Sequence, residues 1–506
     1  MRNRYHYFAA RRTPTGLTTE GTTACELGYK LPAGANKEPA GVFAEWRWDG
    51  QRLTACNDYS GYYPVFYYAD ADQVMISESL IRLIALGAPA EFDEDALAVF
   101  CRCGFFLGER TPFRAIRALP ANARFSWHDG HLTLEGGLRL TAPASISPEQ
   151  AVEGYVERFR EAMDRYPPAE GRLAVPLTGG RDSRQILLEL HRRGLAPTEC
   201  VTCGEPRDVR VASQLTERLG LPHRFLAPTC RWTQYMWRKN IVTHLCALEH
   251  AWIMLLGDYL ASNYEDVYEG SGVGVLTRSE LLTPELVGLC DQGRFGQIAV
   301  WLFDTVGPGR RFFELLPEPF RFLSRAEQPA IDLVSQELER HAPAANPLTS
   351  FNFWNWNRRA TALLPFGVER GVARLRTPFM DEDLYDFVSS FTPRLIFEAE
   401  PQTGAIRKAY PESADVPFYD EFPKEVAVKS PFFRRCHNWV DKLILAARCC
   451  PSSFKTLLAM RSLRRDPSLT GRNRAMQETV LMYLWQLQYG CDKNRAGQML
   501  AQWEGA

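Results

Sequence analysis

The sequence predicts an α+β front unit over residues 1–140 and an α/β rear unit with many helices over residues 150–506. Three observations carry this. Short apolar and aromatic runs separated by Asp-Gly and Ser-Gly turn signals crowd the front. A strand, loop, helix, strand succession follows between Leu173 and Cys203, the spacing of a parallel sheet. From Pro284 onward the chain reads as mainly helical, with Pro- and Arg-rich connections. At 506 residues the chain is long enough for two or three full cores.

In the front, Val42–Trp48, Arg52–Cys56, Val65–Tyr68, Val74–Ile76 and Ala123–Leu134 read as strand-like segments. Trp48-Asp49-Gly50-Gln51 joins the first two as a hairpin. Ser77–Leu86 and Asp93–Cys103 read as helices, and Thr141–Pro148 as a linker rich in Pro, Ala and Ser. Beyond it come a helix over Pro148–Tyr166, a fully apolar strand at Leu173–Leu177, a helix over Ser183–Arg193 stopped by Gly194, and a strand at Glu199–Cys203.

Composition narrows the function. Hydrophobic content of 45% and charged content of 24% are those of a globular protein. The net charge of −1, from 59 basic and 60 acidic residues, offers no electrostatic case for nucleic acid or an anionic membrane as partner. No stretch approaches the roughly 18–20 apolar residues that span a bilayer. The charged N-terminal stretch lacks the apolar segment of a signal peptide, and the 13 cysteines read as free thiols. The expectation is a cytoplasmic protein, of oligomeric state the sequence leaves open.

The chemistry concentrates in Leu173-Ala-Val-Pro-Leu-Thr178-Gly179-Gly180-Arg181-Asp182-Ser183. A buried strand ends in a hydroxyl and two glycines, and a helix begins at once. Glycines let backbone approach a ligand, and helix N-terminal N–H groups are unsatisfied and electropositive, so the segment is an anion cradle. Thr178 and Ser183 add hydroxyl donors. Asp182 would repel a bare phosphate and makes sense where Mg²⁺ bridges it to phosphates. The plainer reading is a tight turn in which Asp182 or Ser183 caps the helix.

The whole string resembles the pyrophosphate loop, Ser-Gly-Gly-x-Asp-Ser, of ATP pyrophosphatases, with Thr178 in place of the first Ser. It lacks the Gly-Lys-Ser/Thr ending of a Walker loop. Asn57-Asp58-Tyr-Ser-Gly61-Tyr-Tyr-Pro64-Val-Phe-Tyr-Tyr68 with Ser77-Glu78, and Gly104 to Pro120 with Thr111, Phe113 and Ile116, resemble segments of class II glutamine amidotransferase domains. Arg376-Thr-Pro378-Phe379-Met-Asp381 is similar to the Arg-x-Pro-Phe-Leu-Asp signature of the asparagine synthetase family, which also holds β-lactam synthetases and lasso-peptide cyclases. That resemblance implies an Ntn-hydrolase-like front sandwich and an ATP-pyrophosphatase (adenine nucleotide α-hydrolase-like) rear. It implies ATP and Mg²⁺ as cofactors and amide formation through an acyl-adenylate. Thr178, Gly179, Gly180, Asp182 and Ser183 would hold pyrophosphate, Asp182 the metal, and Gly272 and Gly274 a second loop. Thr202 and Gly204 would sit where the family holds adenine, although Val201–Gly204 reads equally as an ordinary strand edge. Lys429, within Phe422–Pro431, is the candidate for the family's late catalytic lysine; a solvated surface lysine is the alternative.

The chain departs from the family at three places. Met1-Arg2 stands where the nucleophilic cysteine is expected, and Cys25 lies inside the chain, so glutaminase activity is not expected. Glu269 to Thr277 resembles the family's Ser-Gly-x-Gly-x-Asp-Glu loop with Leu276 and Thr277 in place of its acidic pair, and Arg374 replaces a signature Glu. The expected partner is a small molecule or peptide bearing a carboxylate and an amine; the rival is a catalytically impaired scaffold that keeps the fold. Cys200/Cys203, Cys101/Cys103 and Cys449-Cys450 lack the second pair of a zinc site. His244 and His250 read as buried helix histidines, Phe351–Arg359 as a helix packing aromatics into the core or flanking a cleft, and Met460–Arg474 as a solvated helix and loop.

Overall fold

A computed structural model describes residues 5–31, 40–227, 232–422 and 474–504. Lys429, Cys449-Cys450 and nearly all of Met460–Arg474 lie outside the described residues.

Among the described residues the front holds ten strands: β1 (Tyr7–Thr13), β2 (Gly16–Gly21), β3 (Ala24–Leu31), β4 (Ala40–Trp48), β5 (Arg52–Asn57), β6 (Phe66–Ala69), β7 (Gln73–Ser77), β8 (Arg117–Ala118), β9 (Arg124–His128) and β10 (His131–Glu135). They make two antiparallel sheets of order β2-β1-β7-β6-β8 and β10-β9-β5-β4-β3. Period-two alternation explains their packing. Phe8, Ala10, Val74 and Ile76 of one sheet meet Leu27, Trp46, Leu53, Phe125 and Trp127 of the other in one apolar layer. At the β4–β5 hairpin, Gly50 takes φ +105° and the Asp49 carboxylate accepts from the N–H groups of Gln51 and Arg52 at 2.9 and 2.7 Å. The Ala123–Leu134 segment folds back on itself as β9–β10.

Strands β1–β3 were not anticipated. β2 is exposed along its whole length, so it shows no alternation to read. Ser77 ends β7 instead of opening a helix, because Ser79 caps the following helix α1 (Leu80–Leu86) by accepting from Arg82 N–H. Asp93 caps α2 (Glu94–Cys103) in the same way.

The rear sheet is parallel, with β11 (Leu173–Pro176), β12 (Glu199–Thr202), β13 (His223–Phe225), β14 (Asp266–Tyr268) and β15 (Arg374–Arg376) in the order β13-β12-β11-β14-β15. The helix α3 (Pro148–Arg165) enters through a reciprocal Ser147/Gln150 capping box. Helix α4 (Asp182–Arg192) follows β11, and α5 (Pro206–Leu219) follows β12. The chain runs outward from β11 to β13 and returns to place β14 on the other side of β11. The loops after β11 and β14 therefore share the carboxyl edge at the point where strand order reverses, the usual place for a ligand in an open parallel sheet.

Front and rear are joined by side chains of two π-helical stretches, Phe353–Thr361 and Leu364–Val368. From the first, Arg359 donates to the carbonyls of Gly108 and Arg110 and Arg358 to that of Leu119. Phe351, Phe353 and Trp354 are in the core, as read. His244 and His250 are buried but occupy a turn after α6 (Trp232–Val242), both with positive φ, so the helical assignment is corrected. Among the described residues no helix is long and apolar enough to cross a membrane.

Candidate functional site

A cavity of about 770 Å³ opens at that carboxyl edge. Thr178, Gly180, Asp182 and Ser183 line it from the loop after β11, and Glu269, Gly270, Gly272 and Gly274 from the loop after β14. Helix α4 has no side-chain cap at its start, which leaves its first N–H groups unclaimed by side chains.

The β11 loop is folded onto its own acceptors. Thr178 N–H donates to Ser183 Oγ at 3.1 Å, Gly180 N–H to Thr178 Oγ1 at 3.2 Å, and Gly179 N–H to Asp208 Oδ1 at 2.9 Å. A carboxylate thus occupies one donor of the cradle, a contact no local sequence pattern revealed. The segment before residue 423 lies over the loop: Tyr419 N–H donates to the Gly179 carbonyl, and Arg181 pairs with Asp420 at 2.9 Å while stacking on Phe418. Arg278 pairs with the same Asp420 at 2.9 Å. Burial works against Asp420, yet these two guanidinium groups hold it down at about 2.

Asp182 stands at the centre. Its Oδ1 accepts from Gln402 Nε2 at 2.8 Å, and burial raises its pKa. A Cβ at Gly270 would come 3.1 Å from Asp182 Cβ, and one at Gly274 2.2 Å from its Oδ1. The glycines of the β14 loop are what make room for this carboxylate. Glu269 is pushed up to about 7 by burial and by the charge of Asp182, against the help of Ser271 N–H. Glu369 is raised well above the usual carboxyl range by burial and then by Glu269.

Several sequence expectations are redrawn here. Gly274 faces Asp182, whereas Leu276 is buried in the apolar core and Thr277 bonds the Gly274 carbonyl. Arg374 sits on the edge strand β15, bonded to the Glu170 carbonyl and 3.8 Å from Asp266, and does not line the cavity. Thr202 spends its hydroxyl on the Leu177 carbonyl at 2.7 Å, and Gly204 packs on Asp208; Val201 and Cys203 are the β12-side residues on the wall. Gly179 lies behind the loop and off the cavity surface.

No protein-family model matches this chain. No curated protein matches it either. Among the described residues no group of three or more His, Cys, Asp or Glu is spaced to hold a metal unaided. A hydrated Mg²⁺ shared with phosphates needs fewer protein ligands. Asp182, on the cavity wall with room made by the loop glycines, has the donor chemistry such an ion needs, although burial favours its neutral form until a cation is beside it.

Proposed function

We propose that the chain is an ATP-dependent amide-forming enzyme working through an acyl-adenylate, with an ATP-pyrophosphatase-type rear and an Ntn-hydrolase-like front sandwich kept as a scaffold. One observation carries it: the glycine-hydroxyl loop Thr178–Ser183 opens α4 at the switch point of a parallel sheet, beside a buried carboxylate. In this reading the Thr178 and Ser183 hydroxyls, Gly180 N–H and the α4 N-terminus hold phosphate oxygens, while Asp208 fixes the back of the loop by accepting from Gly179 N–H. Mg²⁺ held by Asp182 would neutralise the phosphates and ease departure of pyrophosphate. Arg181 and Arg278 keep the Asp420 segment over the loop and exclude water. The amine of the substrate then displaces AMP. Glutaminase chemistry is not part of this reading, since Cys25 lies in the sandwich core with its thiol pushed up to about 12 by burial.

The scaffold reading is favoured by Asp208 in the cradle and by Gly274 opposite Asp182. Thermal unfolding of wild type and Asp182→Ala, with and without Mg-ATP, separates the two. Ligand at about 100 times its dissociation constant stabilises by roughly 2.7 kcal/mol. A shift present in wild type and lost in Asp182→Ala is the expected result; no shift in either at millimolar Mg-ATP leaves the scaffold.

A further inference from the structure

The proposed nucleotide loop uses only part of the cavity. The remaining wall carries Glu249, Glu280 and Glu369 among three tryptophans, Trp252, Trp301 and Trp356. Glu369 is the anomaly. It is 1% exposed, it lines the cavity, and neither carboxylate oxygen has a hydrogen-bond partner. Buried carboxyl groups are almost always bonded, and an orphan in a cavity wall calls for something to meet it. The charge that acts on it is negative, from Glu269, and adds to the effect of burial. The two arginines on the cavity wall, Arg181 and Arg278, are already bound to Asp420.

The wall is built at a cost in backbone strain. His244, Leu245 and His250 all adopt left-handed φ of 54°, 60° and 76°. Buried Lys239 holds the turn between them by donating to the carbonyls of Ala247 and Leu248 at 2.6 and 3.1 Å. His250 Nε2 meets the Ala360 carbonyl at 2.9 Å, tying the turn to the π-helix that carries Trp356. This arrangement presents Glu249 and the 42%-exposed Trp252 to the cavity. Strained turns and π-helical turns both concentrate at functional sites.

We propose that this chamber binds an organic cation, an ammonium or guanidinium group on an apolar or aromatic body, with Glu369 as counter-ion and the tryptophan faces as its walls. Carboxylate plus indole is the chemistry that recognises such groups. A bare divalent ion is the lesser fit, because no three ligands converge among the described residues. That the cation is the amine-bearing substrate rests on the amide-forming reading above.

The test is calorimetric titration of the intact protein, without nucleotide, using benzylamine at neutral pH, with neutral benzyl alcohol and Mg²⁺ alone as comparisons. Benzylamine is expected to bind at least about tenfold more tightly than benzyl alcohol. Glu369→Gln should remove most of that preference while melting no lower than wild type, and Trp356→Leu should weaken both probes. Equal binding of the amine and the alcohol by wild type overturns the proposal, whatever the variants do. So does a preference that survives Glu369→Gln, or competitive displacement of benzylamine by millimolar Mg²⁺. Because no nucleotide is present, loss of this result leaves a Mg-ATP shift standing, and loss of the shift leaves this binding standing.

Discussion

Two buried carboxylates show how differently the two halves of the molecule use the same chemistry. In the front, Asp58 accepts three backbone N–H groups, from Ser60 and Tyr62 at 3.2 and 3.0 Å and from Tyr63 at 3.2 Å. Its neighbour Asn57 bridges the Pro120 carbonyl and Ala123 N–H, both at 2.8 Å. Thr111 bonds two carbonyls of its own loop. Each of these three side chains pins a loop by its own hydrogen bonds. In the rear, Glu369 has no such partner, and the loop it shares a cavity with is held closed by a borrowed carboxylate. Satisfied buried groups stabilise; unsatisfied ones around a cavity mark where a ligand completes the bonding. The halves also touch close to Glu369. Glu78 of the front, bonded by His6 and Tyr63, lies 3.5 Å from Arg370, the residue next to Glu369.

The largest expected effect separates the glycines of the two halves. Gly272 has φ +147°, and a Cβ there would lie 2.1 Å from the Phe379 carbonyl oxygen. Gly272→Ala should destabilise by more than about 3 kcal/mol. In the front, Gly104 has φ +87° but open space around its Cβ position. Gly104→Ala should cost only about 1 kcal/mol. Urea unfolding of both variants checks the contrast, and equal losses would break it.

Next is the seam. Arg359 is buried, with burial lowering its pKa to about 10, and it serves two front carbonyls. Arg359→Ala leaves those acceptors unpaired and should cost about 2–3 kcal/mol. The same variant should weaken ligand binding in the rear, because Arg359 anchors the π-helix that presents Trp356. Unchanged binding in a destabilised variant would mean that the front contributes stability alone.

These contrasts also explain what the sequence made legible. The Thr178–Ser183 loop was readable because its donors are consecutive, and α4 and β11 flank it with plain periodicity. The remaining cavity residues come from separate elements: Asp208 from α5, Glu249 and Trp252 from a strained turn, Trp356 from a π-helix and Gln402 from far along the chain. No local pattern joins them. The π-helix was read as an ordinary helix because one extra residue per turn hardly alters apolar spacing over nine residues. The β14 loop is ambiguous in sequence for a specific reason. Gly270, Gly272 and Gly274 recur at every second position, so a Gly-x-Gly pattern can be laid in two registers, and only contact with Asp182 chooses between them.

A smaller effect has a distinctive pH signature. The folded-state pKa of Glu369 lies above the ordinary carboxyl value of 4.5, so ionisation is disfavoured by folding. The resulting destabilisation is absent below pH 4.5 and grows as pH rises past it. Glu369→Gln should therefore stabilise the protein at neutral pH, by on the order of 1 kcal/mol, with the gain vanishing in acid. Burial raises Asp58 as well, to about 6, but three N–H donors oppose the shift, so Asp58→Asn gives up bonds that Glu369→Gln does not and should lower stability at pH 4 and pH 7 alike. Paired melts at pH 4 and pH 7 test both signs; a Glu369→Gln variant less stable than wild type at pH 7 would show that the carboxyl has a partner after all.

The smallest effect concerns Cys25, the front residue closest in kind to a nucleophile. It packs at 7% exposure between the two antiparallel sheets with Leu27, Trp46 and Val74. Burial, reinforced by Glu78 and Glu26, disfavours its thiolate. A thiol in that setting behaves as a small apolar side chain. Cys25→Ala should cost less than about 1.5 kcal/mol by urea unfolding. It should leave Mg-ATP stabilisation and amine binding within experimental error of wild type. A variant that folds normally yet loses pyrophosphate release would require thiol chemistry in the front, and the division into a structural sandwich and a working parallel sheet would fall. An unaffected variant, set beside loss of Mg-ATP stabilisation in Asp182→Ala and of benzylamine preference in Glu369→Gln, would make that division functional as well as architectural.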